Sequence, residues 1–171
     1  MRLSEWRGAA RHRDAMTPKV LATVEPALGA MGSEVDPECW VAWGEDPAVR
    51  YTILAPNASG LVICAVRVNV SGEGPRARAK LVRWSRVQLG ELALETQAGH
   101  RIISFQVEGQ VLRGADAEAD RIGEFAQGVL AAADGRPIPE RTTRVTRRRP
   151  AASAGRKSSA TARPARKTAR S

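Results

Sequence analysis

The stretch that decides the fold is residues 61–70, Leu-Val-Ile-Cys-Ala-Val-Arg-Val-Asn-Val. It contains the longest unbroken apolar run of the chain, and only Arg67 and Asn69 interrupt its apolar character. Because successive side chains of a strand point to opposite faces, the pattern predicts a long strand with one fully apolar face. That face consists of Val62, Cys64, Val66, Val68 and Val70.

Turn signals on both sides divide the neighbouring sequence into further short strands. Gly44, the pair Pro56-Asn57 and the cluster at 71–75 are typical of turns, and Ala98-Gly99 is typical of a hairpin. About six antiparallel strands are therefore predicted. They cover residues 39–43, 49–55, 61–70, 79–84 with a continuation toward Gln88, a segment around Gly90, and 103–107 with 110–112 as an extension.

A change of parity at Gly90 predicts a β-bulge. Val87 and Leu89 share one parity, whereas Leu92 and Leu94 have the other. One extra residue at Gly90 would keep all four side chains on the core face of the sheet.

A helix is predicted before the strands. Thr17 and Pro18 are typical of an N-cap and of a first helical position, and apolar residues then recur at helical spacing up to Met31. We expect Pro26 to end or kink this helix near Glu25, and the glycines that follow to stop it.

A second helix is predicted after the strands. Asp116 is the expected N-cap, and acidic residues in the first turn suit the helix dipole. Gly135 followed by Pro137 is a C-terminal stop signal. The apolar stripe that should cover the sheet consists of Ile122, Phe125, Ala126, Val129 and Ala133.

Residues 1–16 form a basic segment that we expect to be helical from Ser4 to Met16. One interpretation is a helix that lies on a membrane surface or docks on a partner. The other is a surface helix that packs Trp6 against the body of the protein. Gly8 and the shortness of the apolar stripe favour the second interpretation.

The order of helix, strands and helix predicts an α+β domain over residues 17–135. A doubly wound parallel fold is disfavoured, because strands and helices do not alternate. We expect a curved antiparallel sheet of six or seven strands, flanked by an N-terminal helix and closed by a C-terminal amphipathic capping helix. Over residues 39–134 this order resembles the pleckstrin-homology-like topology. A helix-grip sheet is the alternative, since a helix also precedes the strands.

The positive charge is concentrated at the C-terminal end. The 171 residues include 27 Lys+Arg and 18 Asp+Glu, a formal net charge of +9. Residues 141–171 hold 11 of the basic residues and none of the acidic ones, which leaves residues 1–140 at −2. This Arg-, Ala-, Ser- and Pro-rich segment cannot bury enough apolar surface to fold, so we expect a disordered tail over residues 136–171.

We expect the tail to bind nucleic acid without reading sequence, because cationic side chains release counterions from phosphates. Its composition is similar to the tails of linker histones and of some bacterial nucleoid proteins. Attraction to an anionic membrane surface and a purely solubilising role are the alternatives. The tail residues assigned to nucleic acid are Arg147, Arg148, Arg149, Arg156, Lys157, Arg163, Arg166, Lys167 and Arg170.

Within the body, a basic cluster beside a glycine-rich turn is the candidate ligand loop. In a pleckstrin-like domain a loop of this kind would receive a phosphorylated head group. The residues of the candidate loop are Gly72, Gly74, Arg76, Arg78 and Lys80.

Catalytic chemistry has only weak candidates. A Cys39–His100 nucleophile pair, or an acid–base pair among Glu91, Glu95 and Glu108, would make the protein a small hydrolase. We favour packing for the cysteine and a solvated sheet face for the carboxylates, and we assign no catalytic residue.

Metal binding and base stacking are also disfavoured. The cysteines and histidines of the chain are 25 or more positions apart, whereas zinc ligands come in short pairs. Trp84, between Arg83 and Arg86, has the setting of a base-stacking platform, but we favour a core position at the end of a strand.

These observations predict a non-enzymatic interaction domain that a basic tail tethers to nucleic acid, with a protein partner at the sheet as a further expectation. A ligand- or head-group-binding pleckstrin-like module with a solubilising tail is the alternative. No apolar run is long enough to span a membrane, and residues 1–16 lack the apolar region of a secretory signal. We therefore expect a cytoplasmic or nucleoid-associated protein without a metal or cofactor.

Overall fold

The computed structural model describes residues 1–7, 13–70 and 72–139. This part of the chain contains three α-helices and seven β-strands. Two helices come first, the seven strands then follow one another without an intervening α-helix, and the third helix comes last. The elements are α1 (Leu3–Trp6), α2 (Pro18–Ala30), β1 (Val41–Asp46), β2 (Arg50–Asn57), β3 (Gly60–Val70), β4 (Gly74–Arg83), a short 3₁₀ helix (Trp84–Arg86), β5 (Leu89–Gln97), β6 (His100–Val107), β7 (Gln110–Ala115) and α3 (Ala117–Ala133).

The strands form two antiparallel sheets instead of the single sheet expected from the sequence. The four-stranded sheet has the order β1-β2-β3-β4, and the three-stranded sheet has the order β5-β6-β7. The 3₁₀ helix separates the two sheets, because the backbone of Trp84–Arg86 turns instead of continuing β4 toward Gln88. The α+β class predicted from the sequence is confirmed.

The two faces of the four-stranded sheet are covered by different elements. One face, here called the α2 face, packs against α2 and against Leu3 and Trp6 of the N-terminal segment. The opposite face, here called the α3 face, packs against α3 and the three-stranded sheet. The α2 face contributes Tyr51, Ile53, Val62, Cys64 and Val66 to its core, and the α3 face contributes Val41, Leu54 and Leu61.

The central strand β3 is buried on the α2 face from Val62 to Val66 and partly buried at Val68, as the sequence pattern predicts, and the side chain of Val70 lies outside the described part of the structure. Val62, Cys64 and Val66 are at most 2% exposed. On the α3 face Leu61 is buried, whereas Ala65 and Arg67 are exposed. The covering of the α3 face therefore stops halfway along β3, and the half near the β3–β4 turn faces solvent.

The predicted bulge at Gly90 is confirmed. Leu89 pairs with Val107 and Leu92 pairs with Phe105, so two residues of β5 oppose one residue of β6. The leucines accordingly share the face of the buried Phe105. Leu92 and Leu94 nevertheless stay 40% and 65% exposed. The physical reason is that α3 packs on β6 and β7 and leaves β5 at the edge of the sheet.

The N-terminal elements depart from the expectations in two places. Helix α2 begins at the predicted N-cap, where the Thr17 side chain accepts a hydrogen bond from the Val20 N–H. It continues through Pro26 to Ala30, and Leu28 stays fully buried beyond the proline. Of the helix predicted from Ser4 to Met16, the structure has the helical segment Leu3–Trp6 and no helix at residues 13–16, whereas residues 8–12 lie outside the described part of the chain. Trp6 packs edge-on against the rings of Trp40 and Tyr51.

The C-terminal elements match the expectations more closely. Asp116 precedes α3 as predicted, but its side chain does not cap the helix. Its carboxylate instead lies 2.7 Å from His100 Nδ1. Four of the five residues of the predicted apolar stripe are buried, and Ala133 is exposed. Residues 110–112 belong to a separate strand, β7, because the chain reverses at Glu108 and Gly109, which both have positive φ.

Truncation of Phe125 tests the role of α3 as the cover of the second core. Phe125 is 1% exposed and meets Phe105 edge-on, with 6.4 Å between ring centroids. Phe125→Ala should lower the free energy of unfolding by about 3–5 kcal/mol, measured by urea denaturation. Leu130→Ala on the same helix is the control, because Leu130 is 42% exposed and should cost less than about 1 kcal/mol. Equal costs for the two variants would contradict this packing.

The contact between α3 and the start of β1 is tested by a pair of substitutions. A Cβ at position 128 would overlap the Sγ of Cys39. Gly128→Ala should therefore cost about 1–3 kcal/mol of stability through overpacking. In a Cys39→Ala background the overlap is absent, so the cost of Gly128→Ala should fall by at least about 1 kcal/mol. Additive effects in the double-mutant cycle would show that the two residues are not in contact.

Candidate anion-binding surface

The structure places the candidate ligand-loop residues mainly on a strand. Strand β4 begins at Gly74, five residues earlier than predicted, so Arg76, Arg78 and Lys80 lie on β4 and not in a loop. Gly72 lies in the turn before it, and both Gly72 and Gly74 have positive φ. Because the three basic residues are two positions apart, they share one face of the strand. All three are exposed.

The strand register adds two arginines that the sequence interpretation missed. Arg67 of β3 pairs with Arg76, and Arg50 of β2 pairs with Arg67. Three arginines thus stand side by side across three neighbouring strands, about 5 Å apart at their Cβ atoms. Both added arginines are exposed. We call the five residues Arg50, Arg67, Arg76, Arg78 and Lys80 the basic face.

The basic face lies on the uncovered half of the α3 face. Arg78 pairs with Ala65, and Lys80 pairs with Ile63. The basic side chains therefore lie on the same face of the sheet as Leu61, which is buried farther along β3. The positively charged half of the sheet therefore borders directly on the second core and on the elements that cover it.

Few acidic groups compensate this charge. Glu73 forms an ion pair with Arg76, and Asp46 lies opposite Arg50 at the end of β1. Arg67, Arg78 and Lys80 form no ion pair with the residues that the structure describes. Like charges directly opposite each other in a sheet are destabilising, so this arrangement is costly unless an anion lies against it. Guanidinium groups bind phosphate through paired N–H donors, which makes a phosphate-bearing ligand the natural complement.

A cavity of about 310 Å³ opens beside the basic face, at the edge of β1. Its walls come from β1, β7, α3 and the aromatic residues Trp6, Trp43 and Tyr51. Arg113 of β7 and Arg121 of α3 supply positive charge to the walls, and Glu118 supplies one negative charge. The Tyr51 hydroxyl donates a hydrogen bond to the carbonyl of Ala15, at 3.0 Å, and is thereby held in the core.

The residues considered for nucleophilic chemistry are not brought together. Cys39 packs against Gly128 of α3, whereas His100 contacts Asp116, the residue before that helix. Twelve residues of α-helix separate these two contacts, a distance of about 18 Å. Burial, with smaller contributions from the carboxylates of Glu124 and Glu34, raises the pKa of the Cys39 thiol to about 12. Burial also raises the pKa of Cys64 to about 11.

Two of the three candidate carboxylates and Trp84 have structural partners, whereas Glu91 is exposed. Glu95 lies 3.3 Å from an Arg113 guanidinium nitrogen, and the Glu108 carboxylate accepts a hydrogen bond from the Gln88 N–H. The Trp84 Nε1–H donates to the carbonyl of Asn57, which holds the indole against the second core. Burial raises the pKa of Glu124, and the neighbouring Arg121 opposes that shift.

The described ranges contain neither a metal-binding cluster nor a membrane-spanning helix. No group of three or more His, Cys, Asp or Glu side chains in residues 1–7, 13–70 and 72–139 is arranged to hold a metal ion. Over the same ranges, no helix has the length and apolar character needed to cross a bilayer. The tail residues from Arg147 to Arg170 that were assigned to nucleic acid lie outside the described residues.

A signal for Arg50 and Arg67 was present in the sequence. The β2–β3 turn consists of Ala58 and Ser59, between the paired residues Asn57 and Gly60. Residues that are equally far from this turn on the two strands pair with each other, which places Arg50 opposite Arg67. The sequence interpretation recognised the end of β2 at Pro56-Asn57 but did not use the turn to derive the register.

The raised cysteine pKa values predict very slow alkylation of the folded protein. In a Cys64→Ala variant, Cys39 should react with iodoacetamide at pH 8 about a thousandfold more slowly than in urea, because the pKa is about 12 instead of 9.0. Above pH 9 the unfolded thiol ionises and the folded one does not, so stability should fall as the pH rises. Reaction at the unfolded rate would show that Cys39 is accessible as thiolate.

Comparisons of the chain with protein-family models, with curated proteins and with solved structures found no significant match.

Proposed function

We propose that the protein is a non-enzymatic nucleic-acid-binding protein, in which the basic tail supplies attraction at long range and the basic face supplies a fixed contact on the body. The observation that carries the proposal is the basic face itself. Residues 1–140 have a net charge of −2, yet five basic side chains lie together on one exposed sheet face. Such segregation of charge is typical of surfaces that bind polyanions.

The tail supports the proposal through its composition. Residues 141–171 carry 11 positive charges and no negative one. Each cation that neutralises a phosphate releases condensed counterions, so affinity rises without any reading of sequence. A tail and a fixed surface that bind the same polymer act together, because binding by one raises the effective concentration of the other.

A pleckstrin-like module that binds a phosphorylated head group is the second candidate. Four strands, three strands and a final helix follow one another in the order of the pleckstrin-homology-like topology, which supports that topology over the helix-grip alternative. The basic residues of β4 would then receive one head group instead of a polymer. An anionic membrane surface would be the corresponding partner, and the exposed edge of β5 would be the place for a protein partner.

Salt-dependent binding tests the proposal. The full chain should bind nucleic acid with a steep negative slope of log K against log salt. The variant Arg67→Gln/Arg78→Gln/Lys80→Gln should lower the steepness by about two to three units and weaken binding similarly for unrelated sequences, because phosphate contacts are lost. Removal of residues 140–171 should weaken binding further, and the measurement is fluorescence anisotropy at several salt concentrations.

The matched control removes the same charge elsewhere. Lys19→Gln/Arg86→Gln/Arg136→Gln replaces three exposed basic residues outside the basic face. It should leave the salt slope within about one unit of the unmodified chain. An equal effect of both triple variants would show that binding depends on net charge alone and not on the position of the basic face. Sedimentation with phosphatidylserine vesicles, combined with no binding to nucleic acid, would favour the head-group candidate.

A further inference from the structure

Trp43 connects the basic face with the cavity. It pairs with Thr52, Thr52 pairs with Ala65, and Ala65 pairs with Arg78, so all four positions form one cross-strand row. Trp43 has the parity of Val41, which is buried on the α3 face, and therefore lies on the same side of the sheet as the basic face. The indole is partly buried because one side of it packs against the second core, and it also lines the cavity.

The cavity has the size and the walls that suit a flat heterocycle. Its volume of about 310 Å³ is many times the space that one water molecule needs, so a single flat ring fits into it. Besides Trp43, Leu112 and Ile122 supply apolar wall, and the walls also include Arg113, which pairs with Glu95, and Arg121, whose guanidinium lies over the Trp40 ring. Indole rings stack on the π-face of any base, and arginine side chains contribute cation–π and phosphate contacts.

The edge of β1 adds hydrogen-bonding groups to the same cavity. Within the described part of the chain β1 pairs only with β2, so one row of its backbone N–H and C=O groups is not used by the sheet. Residues 41–44 of this strand line the cavity. Backbone donors and acceptors at a strand edge can meet the Watson–Crick edge of a base, which is accessible only when that base is unpaired.

We propose that the partner of this surface is single-stranded nucleic acid, whose phosphates lie along the basic face and one of whose unpaired bases enters the cavity and stacks on Trp43. The inference rests on the proposed function and adds the substrate class. The arrangement favours the single strand because the bases of a duplex are stacked on one another and cannot reach a side cavity without being flipped out.

The test compares a short oligodeoxythymidylate with a duplex of the same length, bound to the full chain at one salt concentration. Trp43→Leu should weaken binding of the single strand about tenfold to a hundredfold and leave duplex binding within about twofold. Trp43→Phe retains an aromatic ring and should keep most of the single-strand affinity. The thermal midpoint of each variant shows whether it is folded. If Trp43→Leu unfolds, the comparison of single strand with duplex is made on Trp43→Phe and the unmodified chain.

The outcomes separate this inference from the proposed function. Equal affinity of the unmodified chain for single strand and duplex, or an equal loss of both in Trp43→Leu, would overturn the inference. The effect of the basic-face triple variant on salt dependence would still stand in that case. Binding to phosphatidylserine vesicles without binding to either oligonucleotide would overturn both proposals.

Discussion

The pairing of β3 with β2 on one side and with β4 on the other is the interaction on which the rest of the structure depends. It runs from Gly60 to Arg67 without interruption on both sides. A sheet of this kind has two faces that must be covered. Helix α2 covers one face, whereas α3 and the three-stranded sheet reach only half of the other. The uncovered half carries charge, because apolar side chains there would remain in water.

The sequence predicted those parts of the fold that depend on local patterning. The alternation at 61–70, the N-cap at Thr17, the bulge at Gly90 and the stripe of α3 all follow from residues close together in the chain. The division into two sheets did not follow, because it depends on how Trp84 packs against the second core and donates to the Asn57 carbonyl. The continuation of α2 past Pro26 likewise depends on burial of Leu28, which is a tertiary contact.

The candidate site was predicted in part. The basic residues of β4 were recognised as a cluster, but a loop was expected where a strand begins. Arg50 and Arg67 are 17 positions apart in sequence, and only the register brings them together. Among the strand tryptophans, the sequence singles out only Trp84, for which a core position is favoured over base stacking. The structure packs both indoles against the second core, and the strand pairing additionally places Trp43 in the same cross-strand row as Arg78.

Mapping of the binding surface on the full chain is the most direct test of the proposed single-strand site. An amide NMR titration with oligodeoxythymidylate reports each backbone position separately. If the site is correct, we expect shifts concentrated around the basic face, at Thr52, Ala65, Arg67 and Ala77, and at the edge of β1, in addition to the tail. Shifts confined to residues 140–171, or centred on the three-stranded sheet away from the cavity, would contradict it.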